Sequence, residues 1–238
     1  MPSPIDEGLL TANRISELEE SPVVGRFDTA HLCEIHRRIF QDLPHHGPGQ
    51  FRRDATAWVK ARELESGDHY YVPYASRRIV ESGLARVLSD CGGPYGFAGL
   101  SLDQFAARIA QLYGDLDYLH PFSEGNSRTL RTFTRQLARE AGFVLHWSLN
   151  NADGVARDRL YRARDVAVIY RAFPGLDEQR AMATDNRMEY ETYWVLQKLQ
   201  KATPLDVIIR ECASYRRALQ NAPLVTSKDE PEEEYEPE

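Results

Sequence analysis

Two strongly amphipathic stretches stand either side of a short polar loop, and they predict the centre of the molecule. Leu102, Phe105, Ala106, Ile109, Leu112, Tyr113 and Leu116 recur at three- and four-residue spacing, the period of a half-buried helix. Ser101 and Gln104 in front of them have capping-box spacing. The helix should stop at His120-Pro121, because the residue before a proline disfavours the helical conformation. A second helix is predicted from about Ser127, buried through Leu130, Phe133, Leu137, Ala138 and Ala141, with Gly142 as its natural end.

Elsewhere the pattern is less regular. Residues 1–24 read as a weakly patterned entry, with Ile15, Leu18 and Leu9 as helical apolar positions. Leu32, Ile35, Ile39 and Phe40 predict a helix capped by Asp28 or Thr29. It is broken by LPHHGPG at 43–49. TAWVK and HYYVPYA, with ESGD between them, read as a hairpin over 55–75, and Pro73 makes the second arm an edge. Further helices are predicted over 77–88, 155–172, 177–200 and 204–219, giving a mainly α fold with one hairpin.

Charge changes the picture only at one end. The formal charge of −7 comes from residues 229–238, DEPEEEYEPE; without them 29 acidic residues face 29 basic ones. The body is neutral, which argues against general nucleic-acid binding, and the composition of 221–238 predicts a disordered acidic tail. Cys33, Cys91 and Cys212 are too few and scattered for a disulfide framework or a cysteine zinc site. No apolar run is long enough to cross a membrane and the N-terminus lacks the pattern of a signal peptide. The expectation is a cytoplasmic protein.

The candidate chemistry lies in the loop between the two strong helices, HPFSEGNSRTLR at 120–131. Gly125, Asn126 and Ser127 open a helix, where unpartnered N–H groups and the helix dipole favour an anion. Arg128 and Arg131 share a face at i, i+3 and can hold further phosphate groups. Glu124 is a hard oxygen ligand suited to Mg²⁺, and His120 is placed to take a proton from a hydroxyl. Such parts suit phosphoryl or nucleotidyl transfer.

The stretch resembles the signature of the Fic family (filamentation induced by cAMP), H-P-F-x-[D/E]-G-N-G-R-T-x-R, at all but one specified position. GRFDTAHLCEIHRRIFQD at 25–42 resembles that family's leading helix, and the likeness extends over residues 20–175. The resemblance implies an all-α core with a β-hairpin flap and transfer of AMP from ATP to a protein hydroxyl. By motif position, His120 would be the general base and Glu124 the Mg²⁺ ligand. Gly125, Asn126, Ser127, Arg128 and Arg131 would hold the phosphates. The expected organisation is an N-terminal extension at 1–24, a Fic domain at 25–175, C-terminal helices at 176–220 and the tail.

Three departures qualify this. Ser127 replaces the motif's second glycine, which keeps open a kinase-like transfer of a different phosphate-containing group. LPHHGPG stands where relatives often carry a Tyr-x-Trp-Ala-Gly element. Ser3-Pro4-Ile5-Asp6-Glu7-Gly8 fits the family's inhibitory [S/T]-x-x-x-E-[G/N] pattern, whose glutamate pairs with the second motif arginine, here Arg131. Pro4 falls where that helix interior would be needed, at a cost of about 3 kcal/mol, so a separate small antitoxin-like protein is expected to supply the glutamate. The lack of extra domains favours a toxin over a host-targeting effector. A non-catalytic nucleotide- or protein-binding module is the alternative from another class, against which the retained His120 argues. Tyr161 and Asn150 lie where relatives place nucleoside contacts, although packing or capping suits each.

Overall fold

The computed structural model describes residues 4–53 and 58–216. The acidic tail, and residues 55–57 of the expected hairpin, lie outside the described residues. The chain runs α1 (Pro4–Glu20), α2 (Thr29–Phe40), β1 (Trp58–Glu63), β2 (His69–Tyr74), α3 (Val80–Cys91), α4 (Leu102–Leu119) and α5 (Asn126–Glu140). It continues through β3 (Phe143–Leu145), α6 (Gly154–Ala172), α7 (Glu178–Ala183), α8 (Arg187–Leu199), α9 (Leu205–Cys212) and β4 (Ala213–Tyr215). The fold is mainly α, with two small two-stranded antiparallel sheets among the described residues, of which β1–β2 is a hairpin.

The amphipathic patterns behave as their spacing requires. Asp28 caps α2 by accepting from the His31 N–H. Ser101 and Gln104 form a complete capping box on α4. The apolar stripe of α4 meets that of α5 in a core where Ile109, Tyr113, Leu116, Leu130, Phe133 and Leu137 are inaccessible to solvent. A smaller core, with Tyr70, Val72, Val168, Ile169 and Leu196, lies beneath the first hairpin. There β2 rests on α6 and α8.

Three expectations are corrected. The entry whose apolar positions read as helical is a 17-residue helix, α1. Pro4 is its first residue, where the missing N–H costs nothing because no intrahelical partner exists, so the proline objection to a helix there fails. The helix expected over 177–200 is two helices, because Asn186 accepts from the Met188 and Glu189 N–H groups and starts a new one. The helix expected over 204–219 ends at Cys212; Ala213, Ser214 and Tyr215 pair instead with Leu145, Val144 and Phe143. Tertiary pairing overrides local pattern at that end.

Candidate active site

The loop from His120 to Gly125 is fixed from every side by groups remote in sequence. His120 ends α4 in the left-handed region, with φ 44° and ψ 60°. Its carbonyl accepts from Arg52 Nε at 2.7 Å, and the fully buried Arg52 also donates to the Ala75 carbonyl. The Arg52 N–H donates to the Pro121 carbonyl at 2.9 Å. Phe122 is buried and stacks on His36, ring centroids 3.8 Å apart. His36 Nδ1 accepts from the Gly49 N–H at 2.9 Å, which leaves Nε2–H to donate to the Glu124 carbonyl at 3.1 Å. Burial pushes His36 down to about 4, so the ring holds the loop in its neutral form.

The Asn126 side chain is engaged within the loop. It is buried, with Oδ1 accepting from the Phe122 N–H at 3.0 Å and Nδ2 donating to the Phe122 carbonyl at 2.7 Å. The side chain therefore closes the loop on itself, and what Asn126 turns outward is its backbone. Gly125, expected as a glycine for phosphate approach, is required by packing. It sits at φ 76°, and a Cβ there would lie 2.1 Å from the Phe40 ring.

The His120 ring is buried against Tyr74 of β2, centroids 4.1 Å apart. Neither ring nitrogen has a hydrogen-bond partner among the described residues. Asp117 Oδ1 is 3.8 Å from Nδ1, an electrostatic contact and too long for a hydrogen bond. Burial pushes His120 down to about 4 against the opposing pull of Asp117. The imidazole is thus neutral at physiological pH, the form a proton acceptor needs.

Asp117 is itself spoken for. Arg164 grips it with Nε and Nη2, both at 3.0 Å, and both side chains are buried. Burial alone would raise the Asp117 carboxyl; Arg164 and His120 outweigh it and hold it below the usual carboxylate range.

Around this pair stands a cluster of cations. Arg131 donates to Ser127 Oγ from Nη2 at 2.8 Å and from Nε at 3.2 Å, and Arg164 Nη1 adds a third donor at 3.1 Å. Arg128 donates from Nη1 to Thr11 Oγ1 at 2.8 Å and from Nη2 to Glu124 Oε1 at 3.1 Å, with its guanidinium over Phe40. Lys60 of β1 is half-buried and pushed down, first by burial. Glu124 also accepts from the Gly125 N–H at 2.8 Å. Burial would raise its carboxyl, but that N–H, Lys60 and Arg128 outweigh the effect and keep it low. Glu124 is therefore a half-buried, ionised hard oxygen ligand beside a helix N-terminus, and its chemistry fits a magnesium ion shared with phosphate oxygens.

All seven residues singled out in the sequence thus meet at one place. Arg52, Lys60, Asp117 and Arg164 join them without having been foreseen. Only Asp117, three residues before His120 on the same helix, carried a local signal. Asn150 is spent on Cys212 Sγ at 2.9 Å, and Tyr161 lies beneath the Arg62 and Arg164 guanidiniums. Glu7 does not pair with Arg131; its carboxylate meets His45 and His46.

A mainly helical core with the signature loop between α4 and α5 and a hairpin at its mouth defines a class, and comparison bears it out. Residues 26–138 match the Fic/DOC family, and the chain carries a domain of that family. It is 32% identical over 155 residues to the protein adenylyltransferase VbhT of Bartonella schoenbuchensis, a match covering 63% of this chain and 28% of that protein. It is 31% identical over 138 residues to a probable protein adenylyltransferase Fic of Salmonella typhimurium, covering 58% of this chain and 62% of that one. The chain therefore spans only part of the length of its curated relatives. In fold it resembles the BepC effector of Bartonella tribocorum, solved with bound AMPPNP. The TM-score is 0.61 at 18% identity, over 89% of this chain and 86% of that one. The N-terminal Fic domain of a Bartonella quintana effector, solved with ADP, gives 0.58 at 21% identity over 91% and 89%.

Proposed function

We propose that the protein is a protein adenylyltransferase. The observation that carries the reading is His120: a buried, neutral imidazole with no hydrogen-bond partner, set beside a helix N-terminus and three arginines. His120 takes the proton of a target side-chain hydroxyl. The hydroxyl oxygen then attacks the α-phosphorus of ATP, a phosphodiester bond forms and pyrophosphate leaves. The N–H groups of Asn126, Ser127 and Arg128 have no partner in a preceding turn and receive phosphate oxygens. Arg128 and Arg131 neutralise the outer phosphates, and Glu124 would hold Mg²⁺. When bound, that ion neutralises charge on the departing pyrophosphate. The hairpin β1–β2 acts as the flap, presenting the target segment by strand addition.

Incubation with α-labelled and γ-labelled ATP and a cell lysate tests this. Label entering protein from the α-phosphate, and lost in His120→Ala, is expected. Label from the γ-phosphate alone would favour the kinase-like reading. One feature gives that second reading substance: the Ser127 hydroxyl draws Arg131 and Arg164 onto itself, where the family signature has glycine. Ser127→Gly releases both guanidiniums, and an unchanged rate and nucleotide choice would remove Ser127 from the argument.

The partner we propose is a small antitoxin that lends a glutamate to Arg131, with this chain as the toxin, acting in the cytoplasm. What supports it is that Glu7, the in-chain candidate, is held by two histidines. Strong activation by Glu7→Gly in the isolated chain would instead place inhibition in cis.

A further inference from the structure

The two histidines that hold Glu7 away from the arginines form with it a group of three whose chemistry the transfer reaction does not use. His45 and His46 sit on a short 3₁₀ turn, Pro44–His46, closed by Gly47 in the left-handed region at φ 62°. Consecutive side chains seldom converge, but this turn brings the two rings to 4.1 Å between centroids. His45 Nε2 lies 2.9 Å from Glu7 Oε1, and His46 Nε2 lies 3.0 Å from Glu7 Oε2. One ligand atom from each residue falls within 4.8 Å of the other two. Tetrahedral ligands about 2.0–2.2 Å from zinc stand about 3.3–3.6 Å apart, so closing this set around a metal needs a side-chain shift of at most about 1.5 Å. All three side chains are partly exposed, which leaves an open position and an entry path.

We propose that Glu7, His45 and His46 form a binding site for a divalent transition metal of the zinc type, which clamps the first turns of α1 over the catalytic loop. Two imidazoles and one carboxylate suit zinc and its neighbours; magnesium prefers an all-oxygen shell. This site is therefore chemically separate from Glu124.

Its position makes it a regulatory contact rather than an ornament of the surface. His46 packs edge-on against Phe40, centroids 5.5 Å apart, and Phe40 lies beneath both Gly125 and the Arg128 guanidinium. On the other side Glu7 is one turn from Thr11, whose hydroxyl donates to the Glu7 carbonyl and accepts from Arg128. Both arms of the site thus end on the same phosphate-facing arginine. Farther along, Arg14 already grips Asp42 at 2.7 and 3.0 Å. The metal fixes the free end of a helix whose middle is pinned. Only the meaning of Arg128 rests on the proposed transfer activity; metal binding and its grip on α1 do not, and both are read without ATP.

The test uses the full chain without a polyhistidine tag. Zn²⁺ alone is titrated calorimetrically, with Mg²⁺ as the control, into the wild type, His45→Gln/His46→Gln and Glu7→Gln. Circular dichroism checks that each variant is folded. The expected result is about one equivalent of Zn²⁺ per wild-type chain, an affinity at least about tenfold weaker in either variant, and no binding of Mg²⁺ at this site. Hydrogen exchange of amides 5–20 is then expected to slow on adding Zn²⁺ to the wild type and to stay unchanged in the variants. Zn²⁺ affinity equal in the wild type and both variants overturns the site. Exchange unaffected by Zn²⁺ in the wild type overturns the clamp. Glu7→Gln keeps the histidine pair intact, so the question stays open to refutation if the double variant folds poorly.

Discussion

The loop that carries His120 and the hairpin that faces it are built by opposite means. The loop is held by buried polar groups: Arg52 and His36 on its carbonyls, Asn126 on its own backbone, and the Arg164–Asp117 pair behind His120. The hairpin is anchored along one side. Arg62 and Tyr70 reach down to Asp165, while Val59 and Tyr71 face outward and are 40% and 55% exposed. The proposed chemistry falls where the polypeptide is over-determined, and the proposed recognition where one side is exposed. Removal of a loop group should therefore cost stability or rate, whereas removal of an outward flap group should cost neither and change only target binding.

The largest effect should come from the proposed base. His120→Ala is expected to lower the transfer rate by about 10²–10⁴-fold, measured with α-labelled ATP and a saturating target. Less than a tenfold loss would remove His120 from proton transfer. Next, Asp117→Ala strands the Arg164 charge in the interior and should cost about 3–5 kcal/mol in urea unfolding. A cost like that of a surface change would show that the loop is not held as described.

The pH dependence separates the two regions in another way. His120 and His36 titrate near 4 in the fold but near the ordinary 6.5 once unfolded. Between those values the unfolded chain binds more protons. Stability is thus fully present above about 6.5 and is lost as pH falls towards 4, by on the order of 3 kcal/mol per histidine. The acid limb of kcat/KM should likewise fall near pH 4 rather than 6.5. A limb near 6.5 would mean that His120 is solvated in the working enzyme. The smallest change in stability should come from Tyr71→Ala on the flap, within about 0.5 kcal/mol. Its KM for the protein target should rise while kcat is kept, and an unchanged KM would argue that the target docks elsewhere.

What was legible in the sequence divides along the same line. The ends of α4 and the signature loop were plain, because caps, period and proline act within a few residues. Arg52 and His36 were not, since their partners lie 68 and 88 positions away. Gly125 was foreseen as a glycine for the sake of phosphate, yet Phe40 demands it too. The histidines at 45 and 46 stood out only as a departure from the family's aromatic element; that they converge on Glu7 depends on where α1 lies. The end of α9 was misread because the strand that displaces the helix pairs with β3, a contact that periodicity does not encode.

The pairing of β4 with β3 has a consequence for how the domain is joined to anything else. β3 follows directly on α5, and the Arg216 N–H donates to the Gly142 carbonyl at 2.9 Å. The chain therefore leaves residue 216 at the far end of α5, whose 15 residues separate that exit from the phosphate-binding end by about 22 Å. A fusion partner or a surface linkage on that side stands clear of the catalytic mouth. At the opposite terminus α1 starts at Pro4, one turn from Glu7 and two from Thr11, so an attachment there is delivered to the mouth itself. The two described ends thus differ: residue 216 lies away from the loop of His120 and Pro4 lies beside it.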